Sequence, residues 1–304
     1  MGLYGKEKGK MSDRIMIAGT KYTLLENTAT FPKVGSVACQ GVRGAYSEQA
    51  AKRIFNTTRP MFFKTFGAVI HAVKCGMCEF GVLPIENNSY GSVRGVYEAL
   101  RTAGVHIVHG DRILIRHQLL VKPGTKFEEI TSIRSHEQAI GQCASFLREV
   151  EDHIHVVPVL NTAVAARYVA ETDDPGAAAI ASPEAGAVYG LQSLENRVSD
   201  SDNNYTRFVC VTAKPVIYPG ANRISMILSV SHTPGALYET IGRFANRGVN
   251  IIKLESCPIV GRDFEFRFFL DAEASCADPE VAAMINELSE TCPEFVFLGN
   301  YAEA

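Results

Sequence analysis

No apolar run approaches the roughly 18 to 20 residues needed to span a bilayer, and the opening MGLYGKEKGK lacks the apolar core of a signal peptide. A cytoplasmic protein without membrane contact is expected. An excess of basic residues is also missing: 30 Lys and Arg stand against 33 Asp and Glu, giving a net charge of -3. With a pI near 6.3, the chain has no field to hold a phosphate backbone, so nucleic acid is not an expected partner. The eight cysteines are scattered, and Cys75-Gly76-Met77-Cys78 is the only CxxC. No second pair or suitably spaced histidines follow it, so neither a zinc site nor a disulfide framework is expected. Motifs that hold nucleotides are missing as well: there is no GxGxxG opening a strand-helix unit and no GxxxxGK. A small molecule is the expected partner, with no cofactor and no metal.

What is present is a 304-residue chain, 46% hydrophobic, long enough for about two ordinary domains. Residues 1–34 have no sustained period and read as a tail. From Val34 strand-like and helical runs alternate: "VGSVACQG" then a helix from Ser47, "EFGVLPI" then a helix through Val96 to Leu100, "HIVHGDRILIRHQLLV" then a helix from Ser135, "HIHVVPV" then a helix from Ala163, and "AAAIAS" then a helix from Pro183. This is α/β organisation. His153 and His155 alternate on their strand and read as surface residues.

The helix starts offer caps: Ser47, a capping box from Ser135 to Gln138, Asn161 or Thr162, and Ser182 before Pro183. Several such N-termini converging on one cleft would hold carboxylates. After Pro215, Pro219 and Gly220 the pattern changes to β-α-β-β-α-β, with strands at Ser225 to Val230, Asn250 to Ser256, Phe264 to Asp271 and "FVFLGNY". That order is a ferredoxin-like module. Between the two patterns stands "DNNYTRFVCV", where turn-forming residues meet a strand and place Thr206 and Arg207 at its mouth.

"GVRGAYSEQAA", "GVLPIENNSYGSV", "SHEQAIGQC", "AAAIASPEAGAVYGL" and "DNNYTRF" occur in the order of the motifs of prephenate dehydratases, which the chain resembles from about residue 35 to 303. The last module resembles an ACT regulatory domain, with "GALY" and "ESCP" at its phenylalanine-binding signatures. The resemblance implies a two-lobed, periplasmic-binding-protein-like catalytic domain over residues 35–213, with lobes of about 35–111 plus 191–213 and of 112–190. A linker over 214–222 and an ACT domain over 223–304 would follow. The implied reaction is decarboxylating dehydration of prephenate to phenylpyruvate, regulated by phenylalanine, in a homodimer or homotetramer. Arogenate, carrying an amino group in place of the keto oxygen, is the alternative substrate, and a non-catalytic two-lobed amino-acid sensor is the alternative class. Relatives fused to a chorismate mutase exist, and residues 1–34 are too few to hold one.

Carried over position by position, the resemblance makes Thr206 the catalytic residue and Glu86, Asn87, Ser135 and Gln142 substrate-binding candidates; Thr162 at its helix start and Arg207 beside Thr206 are added to them. Gly235, Ala236, Leu237, Asn250 and Glu255 become effector-binding candidates. Two positions depart from the family pattern: Asn88 precedes Ser89 where a small hydroxyl residue usually follows PIEN, and Cys257 replaces an arginine beside the effector site. The implied reaction needs a proton donor for the departing hydroxyl, an anchor for a carboxylate and a poorly solvated place for the carboxylate that leaves. Thr206 suits the donor role, His136 is a second candidate by residue type, and Glu86 would repel a dianion and so suits an orienting role. Arg207 is read either as a carboxylate anchor or as a structural ion pair, because in a regular strand it points away from Thr206.

Overall fold

Short runs of small and β-branched residues form the innermost strands: Val37–Gln40 and Ala177–Ala181 are almost wholly buried, as strands covered on both faces must be. The computed structural model describes residues 13–56, 59–150, 152–259, 261 and 265–303. Two units are distinguished: one of residues 32–105 and 109–213, the other of the N-terminal stretch through Phe31, residues 106–108 and residues 214–303.

The chain begins with β1 (Arg14–Ile17) and β2 (Thr20–Leu24), then β3 (Val37–Gln40), α1 (Tyr46–Ile54), β4 (Met61–Phe63), α2 (Phe66–Lys74), β5 (Phe80–Asn87), β6 (Gly91–Ser92), α3 (Arg94–Arg101) and β7 (His106–Leu114). In the first unit one lobe is built on the strand order β7-β13-β5-β3-β4, where β13 is Tyr205–Thr212. The second lobe holds β8 (Gln118–Val121), β9 (Ser132–Ser135), α4 (Glu137–Gln142), α5 (Ala144–Val150), β10 (His155–Pro158), α6 (Thr162–Glu171), β11 (Ala177–Ala181), α7 (Pro183–Tyr189) and β12 (Gln192–Glu195). Its sheet runs β10-β9-β11-β8-β12. This is the expected two-lobed α/β domain, with one boundary shifted. Residues 191–195 belong to the second lobe, because Gly190 caps α7 in the left-handed region and turns β12 back against β8. The long run "HIVHGDRILIRHQLLV" is likewise two strands, broken where residues 115–117 cross between lobes. The other crossing is residues 196–204, and the two are tied by Ile115 N–H donating to Asn204 O at 2.7 Å and His117 N–H to Ser199 Oγ at 3.3 Å.

Two expected caps are corrected. The position before α1 is Ala45, and Ser47 instead donates to Gln40 O at 2.5 Å, locking the helix to its preceding strand. The capping box from Ser135 does not form: His136 caps α4 by accepting from Gln138 N–H, while Ser135 donates to Ile180 O at 2.7 Å inside the sheet. Asn161 and Ser182 cap α6 and α7 as expected, accepting from Val164 and Ala185 N–H.

In the other unit, β14 (Val216–Ile217) precedes β15 (Arg223–Ser229), α8 (Ala236–Ala245), β16 (Asn250–Pro258), β17 (Phe266–Glu273), α9 (Pro279–Thr291) and β18 (Phe295–Glu303). The antiparallel order β16-β17-β15-β18 is the ferredoxin-like arrangement. Phe264, expected to open β17, lies outside the described residues. The supposed tail is partly structured: β1 and β2 form a hairpin that β14, inside the supposed linker, extends. Ile17 and Tyr22 are fully buried in the module's core beside Phe244, Met284 and Leu288. The hairpin turn places Ala18 and Gly19 at positive φ, and Asn286 offsets the strain by accepting from Ala18 N–H at 2.8 Å and donating to Met16 O at 3.0 Å.

Candidate active site

Between the lobes of the first unit lies a cleft of about 440 Å³, in the range of sites for small ligands. One wall comes from β5 and β13, paired antiparallel with Thr206 opposite Asn87. After Arg207 opposite Glu86, the register jumps so that Phe208 faces Pro84, leaving Ile85 as the extra residue. That bulge shifts the side-chain alternation of β5, so Asn87 and Pro84 both reach the cleft together with Thr206 and Phe208.

Asn87 is held in one orientation. Its Oδ1 accepts from Ser89 N–H at 2.9 Å and Tyr90 N–H at 3.1 Å, so its nitrogen faces the other way. There it donates to Asn204 Oδ1 at 2.8 Å, Thr206 Oγ1 at 3.0 Å and Tyr205 O at 3.2 Å, two hydrogens shared among three acceptors. Because the Thr206 oxygen accepts from Asn87, its own proton is left to donate, and no described group takes it. Asn88, where the family pattern has a hydroxyl, stitches the loop to β13: it donates to Asn203 O and accepts from Tyr205 N–H, both at 2.9 Å.

The rest of the lining comes from the crossings and helix starts. His117, buried on a crossing, meets Gln142 of α4 through Nε2 at 2.9 Å and Tyr46 of α1 through Nδ1 at 3.3 Å, and thereby joins both lobes. Tyr46 also donates to Arg116 O at 2.6 Å. Burial holds the His117 ring below the ordinary imidazole pKa against the opposing Gln142 bond, and burial chiefly raises the Tyr46 phenol. His136 lines the cleft too; burial lowers its pKa despite Glu137 nearby. Since its Nδ1 accepts from Gln138 N–H, the neutral ring carries its proton on Nε2. Gln40, Ser47, Gln138, Asn161 and Thr162 also belong to the polar part, while Phe66, Val93, Ile115 and Leu160 belong to the apolar part.

Of the expected site residues, the cleft gathers the catalytic candidate Thr206 and the substrate-binding candidates Asn87, Gln142 and Thr162. Ser135 is spent on its bond to Ile180. Arg207 and Glu86 do not line the cleft; they form an ion pair at 3.1 Å on the opposite side of the ladder, with Arg207 buried. Strand alternation turns Arg207 away from Thr206 and towards Glu86. Sequence reasoning missed Tyr46, His117 and Asn161; the last was seen only as a cap, and nothing in local sequence marks where the lobes face each other. Among the effector candidates, Gly235 opens α8 at φ 88° and Leu237 lines a second cavity of about 380 Å³ with Thr233, Pro234 and Phe268. Asn250 and Glu255 lie apart from it, bonded to Glu273 at 2.9 Å and Lys253 at 3.4 Å.

Residues 37–216, which carry this cleft, match the prephenate dehydratase family. The chain belongs to that family. Among the similar proteins is a dehydratase of Petunia hybrida named arogenate dehydratase 2, 34% identical over 91% of this chain and 74% of its own length. Two solved structures share the architecture. A prephenate dehydratase from Arthrobacter aurescens in complex with L-Phe is 28% identical, with TM-score 0.79, covering 88% of this chain and 89% of its own. A protein described as a quorum quenching acylase, GqqA, is 31% identical, with TM-score 0.77, covering 88% and 98%. The prephenate dehydratase fold is thus compatible with more than one described activity, and the cleft's own chemistry decides the reading below.

Proposed function

We propose that this chain is a dehydratase acting on prephenate, with Thr206 as the proton donor. The observation that carries the reading is the hydroxyl of Thr206, whose oxygen is occupied by Asn87 and whose proton is free in a cleft of mixed polarity. Prephenate loses its ring hydroxyl and its ring carboxylate together; the products are phenylpyruvate, carbon dioxide and water, and one proton is taken up. Thr206 donates to the departing hydroxyl as the C–O bond breaks, and the electrons of the breaking C–C bond enter the ring, which becomes aromatic. As a weak acid, the threonine relays a proton delivered from solvent rather than ionising. The apolar wall of Phe66, Val93 and Phe208 gives the leaving carboxylate a poorly solvated place, which favours its departure as neutral carbon dioxide.

Phenylalanine is the proposed effector, because the Arthrobacter aurescens relative is a complex with it and "GALY" and "ESCP" stand in the ferredoxin-like module. Leu237 borders a cavity, whereas Asn250 and Glu255 do not, which supports an effector site completed between two copies of the chain. Assay of the purified protein with prephenate and no added cofactor should give phenylpyruvate and carbon dioxide in equal amounts, slowed by phenylalanine. A chain ending at Lys214 should keep the reaction and lose the response. No phenylpyruvate from the full chain would overturn the reading, and a truncated protein still inhibited by phenylalanine would move the effector site elsewhere.

A further inference from the structure

Gln142 is the last residue of α4, and the segments that cross between the lobes pin it from two sides. Its backbone carbonyl accepts from Asp200 N–H at 2.8 Å, on the crossing of residues 196–204. Its side-chain oxygen meets His117 Nε2 at 2.9 Å, on the crossing of residues 115–117. His117 is 2% exposed and lines the cleft, yet the proton transfer from Thr206 makes no use of it. A carbonyl oxygen only accepts, so the 2.9 Å contact requires the ring proton on Nε2. Burial holds the ring below the ordinary imidazole pKa, which leaves it neutral and Nδ1 bare. The Tyr46 side agrees: that hydroxyl has one proton, gives it to Arg116 O at 2.6 Å and stands 3.3 Å from Nδ1, too far for a strong bond.

Gln142 lines the cleft and its oxygen is spent on His117. Its amide nitrogen has no partner among the described residues and, unlike that of Asn161, is not sealed from solvent. The residues lining the cleft include no Asp, Glu, Lys or Arg, so an anionic ligand there is met by neutral donors alone. Resting on the dehydratase reading, we propose that His117 is a positioning residue: by donating to Gln142 Oε1 it turns the amide nitrogen of Gln142 to the cleft, where that N–H donates to an oxygen of bound prephenate. An amide that nothing holds presents either end, and the wrong end sets a carbonyl oxygen against an anion. Asn87 is fixed in the same manner by two backbone N–H groups, with its nitrogen directed to Thr206. His117 does for Gln142 what the turn after β5 does for Asn87.

Asparagine and glutamine separate the two ring nitrogens, since an Asn amide reaches the place of Nδ1 and a Gln amide that of Nε2. His117→Asn should lower kcat/KM on prephenate by roughly tenfold or more, the worth of a hydrogen bond to a charged group, and mostly through KM. His117→Gln, which keeps an N–H at the Nε2 place, should recover most of that loss. Gln142→Glu still accepts from His117 but offers the cleft no N–H, and should lose at least as much as His117→Asn. In a Gln142→Ala background, His117→Asn should cost about twofold more at most. Nitrogen-15 spectra of the ring-labelled, unaltered protein should show the His117 proton on Nε2, the resonance being assigned by its absence from His117→Gln. A proton on Nδ1 would reverse the amide and overturn the inference. Equal losses in folded His117→Asn and His117→Gln proteins would overturn it too, as would losses that multiply in the Gln142→Ala background. No phenylpyruvate from the unaltered protein would defeat the dehydratase reading itself, and this inference with it.

Discussion

At Asn87 two backbone N–H groups of the following turn take the amide oxygen, so the nitrogen has no choice but to face Thr206. In the proposed reaction Asn87 acts by orienting the threonine hydroxyl. Asn87→Ala should lower turnover by roughly 10- to 100-fold, below the loss typical of removing a proton donor. In a Thr206→Ala background the same change should cost little more, because the hydroxyl it positions is gone. If the two losses multiply in a double-mutant cycle on kcat, Asn87 acts independently. Asn87 and Thr206 were legible in the sequence as candidate site residues through the resemblance of their two motifs, but the bond between them was not. The place of Arg207 was legible only as an alternative, since the bulge at Ile85 that brings Asn87 and Pro84 to one face leaves Arg207 opposite Glu86. Tyr46 and His117 meet from segments 71 residues apart, and no local pattern encodes that meeting.

The elements of the two lobes were legible from their strand-helix alternation, and their caps only in part. Asn161 and Ser182 follow the rule for small polar residues before a helix. At α1 Ser47 lies two positions past the cap, and at α4 a histidine ring does the work of a hydroxyl. The hairpin of β1 and β2 escaped notice because Ala18-Gly19 is not a usual two-residue turn; its cost is met by Asn286, far away in sequence. Gly44 shows what an element junction needs. It has φ 84°, and an added Cβ would lie 3.0 Å from the Cα of Ala185 on α7, in the other lobe. Gly44→Ala should therefore both strain the backbone, by about 1–2 kcal/mol for a left-handed residue, and wedge the lobes apart. Gly190, at φ 67° with open space around it, provides the control, since Gly190→Ala brings the strain without the wedge. Both variants should melt earlier, and only Gly44→Ala should also lose kcat/KM. Equal activity in the two would show that the lobes need not approach at Gly44 for turnover.

At the scale of the whole molecule, one boundary between the two units falls between Ala213 and Lys214, at the start of the Pro/Gly stretch. What composition could not mark is that the second unit gathers residues from both ends of the chain, with the Tyr22 hydroxyl hydrogen-bonded to His106 Nδ1 at 2.7 Å and its ring edge-on against Phe297 in one core. A buried tyrosine between two such partners reads, in isolation, as one apolar position in an irregular tail. The proposed reaction nevertheless rests on one hydroxyl in the other unit. Single-turnover kinetics of Thr206→Ala and Thr206→Ser on prephenate test it most directly. Loss of the donor should slow the chemical step by roughly 10² to 10⁴ in the alanine variant, with substrate affinity little changed and part of the rate kept by serine. A Thr206→Ala protein that converts bound prephenate at the unaltered rate would contradict the account.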